Sequence, residues 1–191
     1  MKREFRISET KLYYNISKFG NSDEIDIPFE NLNGEKVSFK KSNNVLLLVS
    51  VIIYLIAIAI SIGKMKGADV EQYADLFWGI IGTIVLVVYF FTKENFWKIK
   101  LVENNYIYFH KKIPSENQTN EFLTELIEVR NSFLNENYGI IDENLDYQTQ
   151  LNNFKWLKSI NAISKKEFEE KYKELKKTVK PEKSNIGYGQ N

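Results

Sequence analysis

Cysteine is absent from the 191-residue sequence, and histidine occurs once, at His110. A chain without a thiol has no disulfide, no cysteine nucleophile and no zinc–thiolate site, and one imidazole cannot build a histidine-cluster metal site. Phosphate-binding loops of the GxGxxG or Walker type are also missing, since Gly34 stands alone in its turn. We therefore predict no catalytic residues, no cofactor and no metal ligands, and we expect a protein that is not an enzyme.

The sequence also lacks an excess of charge of either sign. Its 26 basic and 25 acidic residues leave a net charge of +1, which argues against nucleic acid as the main partner. The mean hydropathy is negative although the chain contains two long apolar runs, so the remaining sequence is strongly polar. No small-molecule substrate can be identified from this composition. The expected partners are the lipid bilayer and a protein, which includes a second copy of the chain.

Charged residues, proline and amide side chains are missing from two apolar runs. The first run, residues 45–63, contains 19 residues, which as a helix measure about 28 Å, close to the ~30 Å hydrocarbon core of a bilayer. The second run, residues 76–92, carries aromatic side chains at both ends, where the two headgroup regions favour them. We predict transmembrane helices over 44–63 and 76–92, joined by an external loop over 64–75.

An alternative is that both runs are buried helices of a soluble core. Two helices that are apolar on all sides would need more covering protein than 191 residues supply, so the membrane interpretation is favoured. No ionisable side chain lies inside either run, and the pattern therefore does not indicate a pore or a transport path. Small and hydroxyl side chains predict instead that the two helices pack on each other. They are Ser50, Tyr54, Ala57 and Ser61 in the first run, and Gly79, Gly82 and Thr83 in the second.

Lysines outside the two runs predict the topology. They are Lys36, Lys40 and Lys41 before the first run, and Lys93, Lys98 and Lys100 after the second. By the positive-inside rule both termini are expected in the cytoplasm. The richness in Lys, Asn and Ile is typical of an AT-rich bacterial genome, so the predicted location is the bacterial inner (cytoplasmic) membrane, as a multi-pass protein. The first run begins too late for a cleaved signal peptide, and we expect it to act as the insertion signal.

Residues 1–43 have the period-two pattern of short strands. The alternating apolar residues are Phe5 and Ile7, then Leu12, Tyr14 and Ile16, then Ile25, Ile27 and Phe29, and last Val37 and Phe39. Pro28 indicates an edge strand or a strand start in the third segment. Asn33-Gly34 predicts a hairpin turn, because both residues tolerate positive φ. About four strands follow, with too few apolar residues to form a core alone.

Strand signals resume in residues 93–139. Trp97, Ile99 and Leu101 alternate with lysines, and Tyr106–His110 forms a further strand. Residues 120–138 then read as a helix with an apolar stripe. Thr119 or Asn120 is the expected N-cap, and Gly139 the expected left-handed C-cap.

Six strands and one amphipathic helix, divided between the two flanks, indicate one α+β domain whose chain detours through the membrane. This order resembles a pleckstrin-homology-like domain, a curved sheet of seven strands capped by a C-terminal helix, over roughly residues 3–43 and 96–138. The resemblance implies a binding domain. It does not imply phosphoinositide binding, because Ser8-Glu9-Thr10-Lys11 in the first hairpin lacks a basic cluster. Two separate small strand units remain an alternative.

A linker over 140–150 leads to a predicted helix–turn–helix over 151–177. Asn161 can adopt the left-handed conformation in its turn, and Ser164 with Glu167 forms a capping box for the second helix. This segment resembles the short C-terminal domain called SHOCT, with Ile163-Ser164 and Glu167-Phe168 in the positions of its Ile-Thr and Glu-Phe steps. The resemblance implies an interaction or oligomerisation module. Residues 178–191 are expected to be a disordered tail.

The leading hypothesis is a non-enzymatic integral membrane protein that presents a cytoplasmic pleckstrin-homology-like binding or oligomerisation domain. One alternative is a membrane-resident immunity protein against a membrane-targeting toxin, and another is an accessory subunit of a membrane complex. The lysine-rich second helix of the C-terminal module is expected either to be solvated or to contact anionic lipid.

Overall fold

The computed structural model describes residues 2–18, 20–102 and 104–179, and the chain has the α+β fold that the sequence predicts. The described residues form two small three-stranded sheets and five helices, two of which are strongly apolar. In chain order the elements are β1 (Lys2–Ile7), β2 (Lys11–Lys18), β3 (Asn21–Pro28), a short 3₁₀ turn (Phe29–Asn31), β4 (Leu32–Lys41), α1 (Asn44–Met65), α2 (Ala74–Phe91), β5 (Glu94–Leu101), β6 (Tyr106–His110), α3 (Glu116–Tyr138), α4 (Tyr147–Ser159) and α5 (Lys165–Thr178).

The chain divides into two compact units. One consists of Met1–Val37 together with Trp97–Asn191, and the other of Ser38–Phe96, so far as these ranges are described. The second unit contains α1 and α2. The first contains most of both sheets and the three polar helices, so the two flanks of the apolar hairpin fold together.

β2 is the central strand of the first sheet and pairs antiparallel with β1 and β3. The register places Tyr14 between Phe5 and Ile25, so apolar side chains of all three strands share one face. This arrangement confirms the period-two prediction for this part of the chain. Pro28 ends β3, which is an edge strand, where its missing N–H removes no bond from a central ladder.

The second sheet has the strand order β4-β5-β6. β4 and β5 are neighbours in it although α1 and α2 lie between them in the chain. The apolar hairpin therefore takes the place of a loop between two adjacent strands. β6 lies at the edge, where the Arg3 guanidinium donates a hydrogen bond to the carbonyl oxygen of Tyr108 (3.3 Å) and the Thr119 hydroxyl donates one to that of His110 (3.2 Å). Side chains thus cover part of this edge.

The main core lies between the two sheets and α3. Both flanks contribute to it, and each large apolar side chain that it buries stabilises the fold by about 1.5–3 kcal/mol. Its buried members are Leu12, Ile27, Phe29, Leu32, Ile99, Ile107, Phe109, Leu123 and Leu126. Aromatic rings extend it, since Phe5 lies 4.7 Å from Tyr14 and 4.4 Å from Phe109, measured between ring centroids. The strands before and after the hairpin therefore pack as one unit.

A second core joins α4 and α5 to the C-terminal half of α3. Its buried members are Leu134, Leu151, Phe154, Leu157, Ile160, Ala162, Ile163 and Leu175. α4 and α5 are therefore not a separate module, because the apolar side chains between them pack against α3. Lys171 adds a hydrogen bond of 2.8 Å to the carbonyl oxygen of Gly139, just beyond the end of α3.

The prediction of a hairpin turn at Asn33-Gly34 is wrong. Both residues lie inside β4, and Gly34 does not have a positive φ. Gly34 is needed for a different reason: a Cβ at this position would lie 2.3 Å from the backbone oxygen of Asn161. The glycine thus allows another backbone segment to approach β4 closely. This requirement comes from a tertiary contact, but in the sequence an Asn-Gly pair looks the same as a turn signal.

The boundaries predicted for the polar helices also need correction. α3 begins at Glu116 with Ser115 as its N-cap, four residues before the predicted start, because the Ser115 hydroxyl accepts a hydrogen bond from the Gln118 N–H (3.2 Å). Gly139 does end α3, but its φ is −101°, so it is not a left-handed cap. α4 begins at Tyr147 within the predicted linker, where Asp146 caps it.

The turn and the cap between α4 and α5 agree with the prediction. Asn161 has a φ of 56°, in the left-handed region. The Ser164 hydroxyl accepts a hydrogen bond from the Glu167 N–H, and the Glu167 carboxylate accepts one from the Ser164 N–H (2.6 Å), which completes the capping box. The predicted disordered tail lies outside the described residues from residue 180 onward.

Two helix-capping carboxylates predict a fall in stability at acidic pH. The hydrogen bonds from Thr149 hold the pKa of Asp146 below its usual value, and those from Ser164 hold the pKa of Glu167 below its usual value. A carboxyl whose folded-state pKa is depressed contributes stability above its unfolded pKa and loses it as the pH falls through the folded pKa. We expect the double variant Asp146→Asn/Glu167→Gln, which keeps both capping geometries, to show a flatter decline in unfolding midpoint between about pH 5 and about pH 2. Urea titrations of the detergent-solubilised chain measure this, and parallel curves for variant and wild type would contradict it.

Candidate functional site

The apolar hairpin α1–α2 exposes large hydrophobic side chains along both of its helices. Both α1 and α2 are long and apolar enough to cross a membrane, judged by length and composition. Their side chains point outward: Leu55 of α1 is 60% exposed and Ile84 of α2 is 57% exposed. Soluble monomers rarely expose contiguous apolar patches larger than a few hundred Å². The hairpin surface is therefore suited to hydrocarbon or to an apolar partner.

Three hydroxyl side chains of the hairpin form hydrogen bonds within it. The buried Ser50 hydroxyl donates to the carbonyl oxygen of Gly82 across the helix pair (3.1 Å). The Thr83 hydroxyl donates to the carbonyl oxygen of Gly79 (2.8 Å), so Tyr54 donates the 2.9 Å hydrogen bond that joins the two hydroxyls. These three hydroxyl groups are therefore satisfied without water, as a low-dielectric surrounding requires.

Close packing of α1 on α2 agrees with the prediction from small residues, with one exception. A Cβ on Gly82 would lie 3.3 Å from Ile53 Cγ2, so Gly82 brings the helices together, and Ala57 is buried in the same contact region. Gly79 faces open space and contributes no such contact. At the loop end of the hairpin the Lys64 ammonium bonds the Asp75 carboxylate and the carbonyl oxygen of Gln72, which ties the end of α1 to the start of α2.

Arg130 organises a second site, where α3, β4 and the turn between α4 and α5 meet. Arg130 as a whole residue is 1% exposed. Nε and Nη2 both donate to the carbonyl oxygen of Leu32 (3.0 and 2.6 Å), and Nη2 also donates to that of Ile160 (3.0 Å). Nη1 donates to the Asn131 side-chain oxygen (2.6 Å). We call Arg130, Leu32, Gly34, Ile160 and Asn161 the Arg130 junction.

The charge of Arg130 is held by dipoles, since no carboxylate in the described ranges forms an ion pair with it. Ile160 is the C-cap of α4, where the helix dipole is negative and favours a cation. Burial lowers the pKa of Arg130 to about 10, so the group stays protonated at neutral pH. A charged group surrounded by oriented carbonyls and without a reactive neighbour is a structural centre.

Backbone contacts complete the Arg130 junction. The Gly34 N–H donates to the carbonyl oxygen of Ile160 (2.8 Å), and the Asn161 side-chain amide donates to the Asn33 side-chain oxygen (3.0 Å). The α4–α5 turn is thereby fastened to the first residues of β4. Asn161 has left-handed backbone angles, and Gly34, which has no Cβ, leaves room for the Asn161 carbonyl.

Sequence reasoning did not identify Arg130, although a signal was present. Leu126, Arg130 and Leu134 are spaced four residues apart, so Arg130 lies on the buried stripe of α3. It is also the single basic residue between Glu116 and Tyr138. A charged residue on an apolar stripe indicates either a surface boundary or a buried charge with several acceptors, and only the tertiary contacts distinguish the two.

An open groove of about 690 Å³ lies beside the Arg130 junction, between α3 and the start of α5. Its lining is polar and includes three carboxylates but no basic side chain. The lining residues are Glu128, Asn131, Ser132, Asn135, Glu136, Asn161, Ala162, Ile163, Ser164 and Glu167. The Ser164 hydroxyl is engaged in the helix cap, and Glu167 in the same box. The described residues contain no group of three or more His, Cys, Asp or Glu side chains that could hold a metal ion.

His110 lies at the end of β6. Its ring Nδ1 accepts a hydrogen bond from the Lys112 N–H (3.3 Å), and its carbonyl oxygen accepts one from Thr119. These contacts fasten the start of the β6–α3 connection. None of them pairs the imidazole with a hydroxyl nucleophile.

We expect Arg130→Met to destabilise the chain by about 2–4 kcal/mol, because the Leu32 carbonyl loses both of its guanidinium donors and remains buried. The Ile160 carbonyl keeps its hydrogen bond from the Gly34 N–H, so losing the Arg130 donor costs less free energy at this carbonyl. Arg130→Lys should lie between wild type and Arg130→Met, since an ammonium lacks the planar fork that gives the Leu32 carbonyl two donors and also reaches Asn131. Denaturant unfolding measures the differences, and equal stability of Arg130→Met and wild type would refute the role of the junction.

A pair of glycine substitutions tests the same contact from the other side. Gly34→Ala places a methyl group against the Asn161 backbone and is expected to cost several kcal/mol, on the order of an overpacked core position. Gly79→Ala is the matched control, because its Cβ meets open space and alanine favours a helix. Thermal unfolding of both variants in detergent should show a large decrease for the first and little change for the second.

No family model, no curated protein and no solved structure matches the chain. The resemblances to pleckstrin-homology-like and SHOCT domains rest on the order of the elements and on the residues quoted for them.

Proposed function

We propose that the chain is a two-span membrane protein of the bacterial inner membrane, with both termini in the cytoplasm. Its α+β unit, pleckstrin-homology-like in architecture, serves as a non-enzymatic platform that binds a protein partner or a second copy of the chain. The hairpin α1–α2 anchors this platform.

The observation that carries the proposal is the combination of an outward-facing apolar surface with internally satisfied polar groups. Exposed Leu, Ile, Val and Phe side chains cover both helices, and burying each of them in hydrocarbon is favourable by about 1.5–3 kcal/mol. The hydrogen bonds of Ser50, Tyr54 and Thr83 leave none of these three hydroxyls in need of water. A bilayer suits both features at once, whereas water disfavours the exposed apolar surface.

The orientation follows from the lysines that flank α1 and α2. Residues 36–41 contain three lysines and no acidic residue, and residues 92–102 contain three lysines with Glu94. The short connection between α1 and α2 contains Lys66, Asp69 and Glu71, and Lys64 and Asp75 at its two ends bond each other. The positive-inside rule then favours both flanks on the cytoplasmic side.

The platform role is supported by the surfaces that the α+β unit presents. Its groove beside α3 has mainly polar side chains, three of them carboxylates, which can contact a partner. The SHOCT-like helices use their apolar seam on α3, which leaves their polar outer faces for contact with other molecules. Salt-linked pairs such as Lys165–Glu169 and Lys166–Glu170 cover part of that outer face of α5.

Reporter fusions test the topology. Fusions after residue 30 and after residue 130 are expected to report the same, cytoplasmic side, and an insertion at residue 69 the opposite side, because two spans return the chain to the compartment that it left. Alkaline extraction should leave the full chain in the membrane fraction. Opposite signals at residues 30 and 130, or release of the chain by alkali, would overturn the two-span proposal.

Self-association is measured separately. Native mass spectrometry and in-membrane crosslinking of the full chain are expected to give a dimer or a larger assembly, or a complex with a co-purifying protein. A monomer by both methods, together with no partner after detergent purification, would overturn the platform role and leave the topology result standing.

A further inference from the structure

Two lysines converge on one tryptophan in the α+β unit. The Lys111 ammonium lies 3.7 Å from the centre of the Trp97 ring, and the Lys36 ammonium lies 5.1 Å from it. Both distances are within the range of a cation–π contact, so the ring holds two like charges near each other. We call Lys36, Trp97 and Lys111 the lysine–tryptophan cluster. Its members come from β4, from β5 and from the residue after β6.

The Trp97 ring is held in place, because part of it packs against the main core. Its indole N–H is buried and has no acceptor in the part of the chain that the structure describes, so it is not a contact for a ligand at the surface. The two ammonium groups lie on this fixed ring and give a local concentration of positive charge, which favours an oxygen anion.

Few residues of the chain separate Lys36 and Trp97 from the ends of the hairpin. Trp97 follows the last residue of α2, Phe91, by six residues, which can span at most ~20 Å. Lys36 precedes Asn44, the first residue of α1, by eight residues. Lys40, Lys41 and Lys93 lie still nearer to the helix ends. If α1 and α2 span a membrane, the cluster lies within reach of the cytoplasmic headgroup layer, whose surface is negative.

We propose that the lysine–tryptophan cluster binds the phosphate groups of anionic phospholipids in the bilayer that the hairpin spans. Lys36 and Lys111 supply the positive charge, and the Trp97 ring holds the two ammonium groups near each other. The contact holds the α+β unit against the membrane. This inference rests on the two-span proposal and adds a ligand to it.

Lipid-labelled vesicles test the contact with the full chain. In a Trp78→Phe/Trp156→Phe background, Trp97 is the remaining tryptophan. A nitroxide on the phosphatidylcholine headgroup quenches the Trp97 fluorescence when the ring approaches the headgroup layer. We expect this quenching to increase as phosphatidylglycerol replaces phosphatidylcholine, and to decrease when salt screens the charges. Equal quenching in vesicles with and without phosphatidylglycerol would overturn the proposal.

Lysine variants identify the groups responsible. Lys36→Gln and Lys111→Gln should each raise the phosphatidylglycerol fraction needed for half-maximal quenching by about fivefold, which is the effect of one cation near an anionic surface. Lys165→Gln/Lys166→Gln is the matched control, since these exposed lysines of α5 lie outside the cluster. Unchanged quenching in both cluster variants would overturn the assignment. Protection of the Trp97 emission by inorganic phosphate, in vesicles where phosphatidylglycerol has no effect on the quenching, would indicate a soluble anion as the ligand and would also overturn it.

Insertion is monitored independently with Trp78. In a Trp97→Phe/Trp156→Phe background, a nitroxide on the acyl chain should quench Trp78, which lies in α2, regardless of headgroup charge. Absence of this quenching would overturn the two-span proposal, and the lipid proposal with it. Normal quenching of Trp78 together with charge-independent quenching of Trp97 would overturn the lipid proposal alone.

Discussion

The buried guanidinium of Arg130 is the interaction on which the arrangement of the α+β unit depends. It binds the carbonyl oxygens of Leu32 and Ile160, which belong to segments about 130 residues apart in the chain. A buried cation must be surrounded by acceptors, and the acceptors at this site are backbone groups at the start of β4 and at the end of α4. Satisfying the charge of Arg130 therefore determines where the helix pair α4–α5 docks. Gly34 permits that docking because it leaves room for the Asn161 carbonyl.

The apolar hairpin connects two strands that are neighbours in their sheet. β4 and β5 are adjacent in their sheet, and the backbones of neighbouring strands lie only about 4.8 Å apart. Any segment whose two ends are close together can join such strands. α1 and α2 meet this condition because they pack on each other as a pair, through Ser50, Tyr54 and Gly82. The α+β unit and the hairpin are therefore stabilised by separate sets of contacts.

Local patterns in the sequence were sufficient for most elements. Alternation around Phe5, Tyr14 and Ile25 predicted strands, and the register places these residues on one face. The capping box at Ser164 was readable because both of its hydrogen bonds join residues three positions apart. Asn33-Gly34 was misread because the reason for the glycine lies 127 positions away, at Asn161. The start of α3 was misplaced for a local reason: several residues near Ser115 can serve as N-caps, and propensity alone does not choose among them.

The sequence by itself determined the α+β class, the six strands, the apolar hairpin and the N-terminal capping box of α5, because each depends on residues within a few positions of one another. Tertiary structure decided that the two flanks share one core, that α4 and α5 dock on α3 and β4, and that Arg130 is a buried residue of α3. It also brought Lys36 and Lys111 to the ring of Trp97. These features require contacts between segments far apart in the chain, and the free energy of burying a side chain depends on what surrounds it after folding.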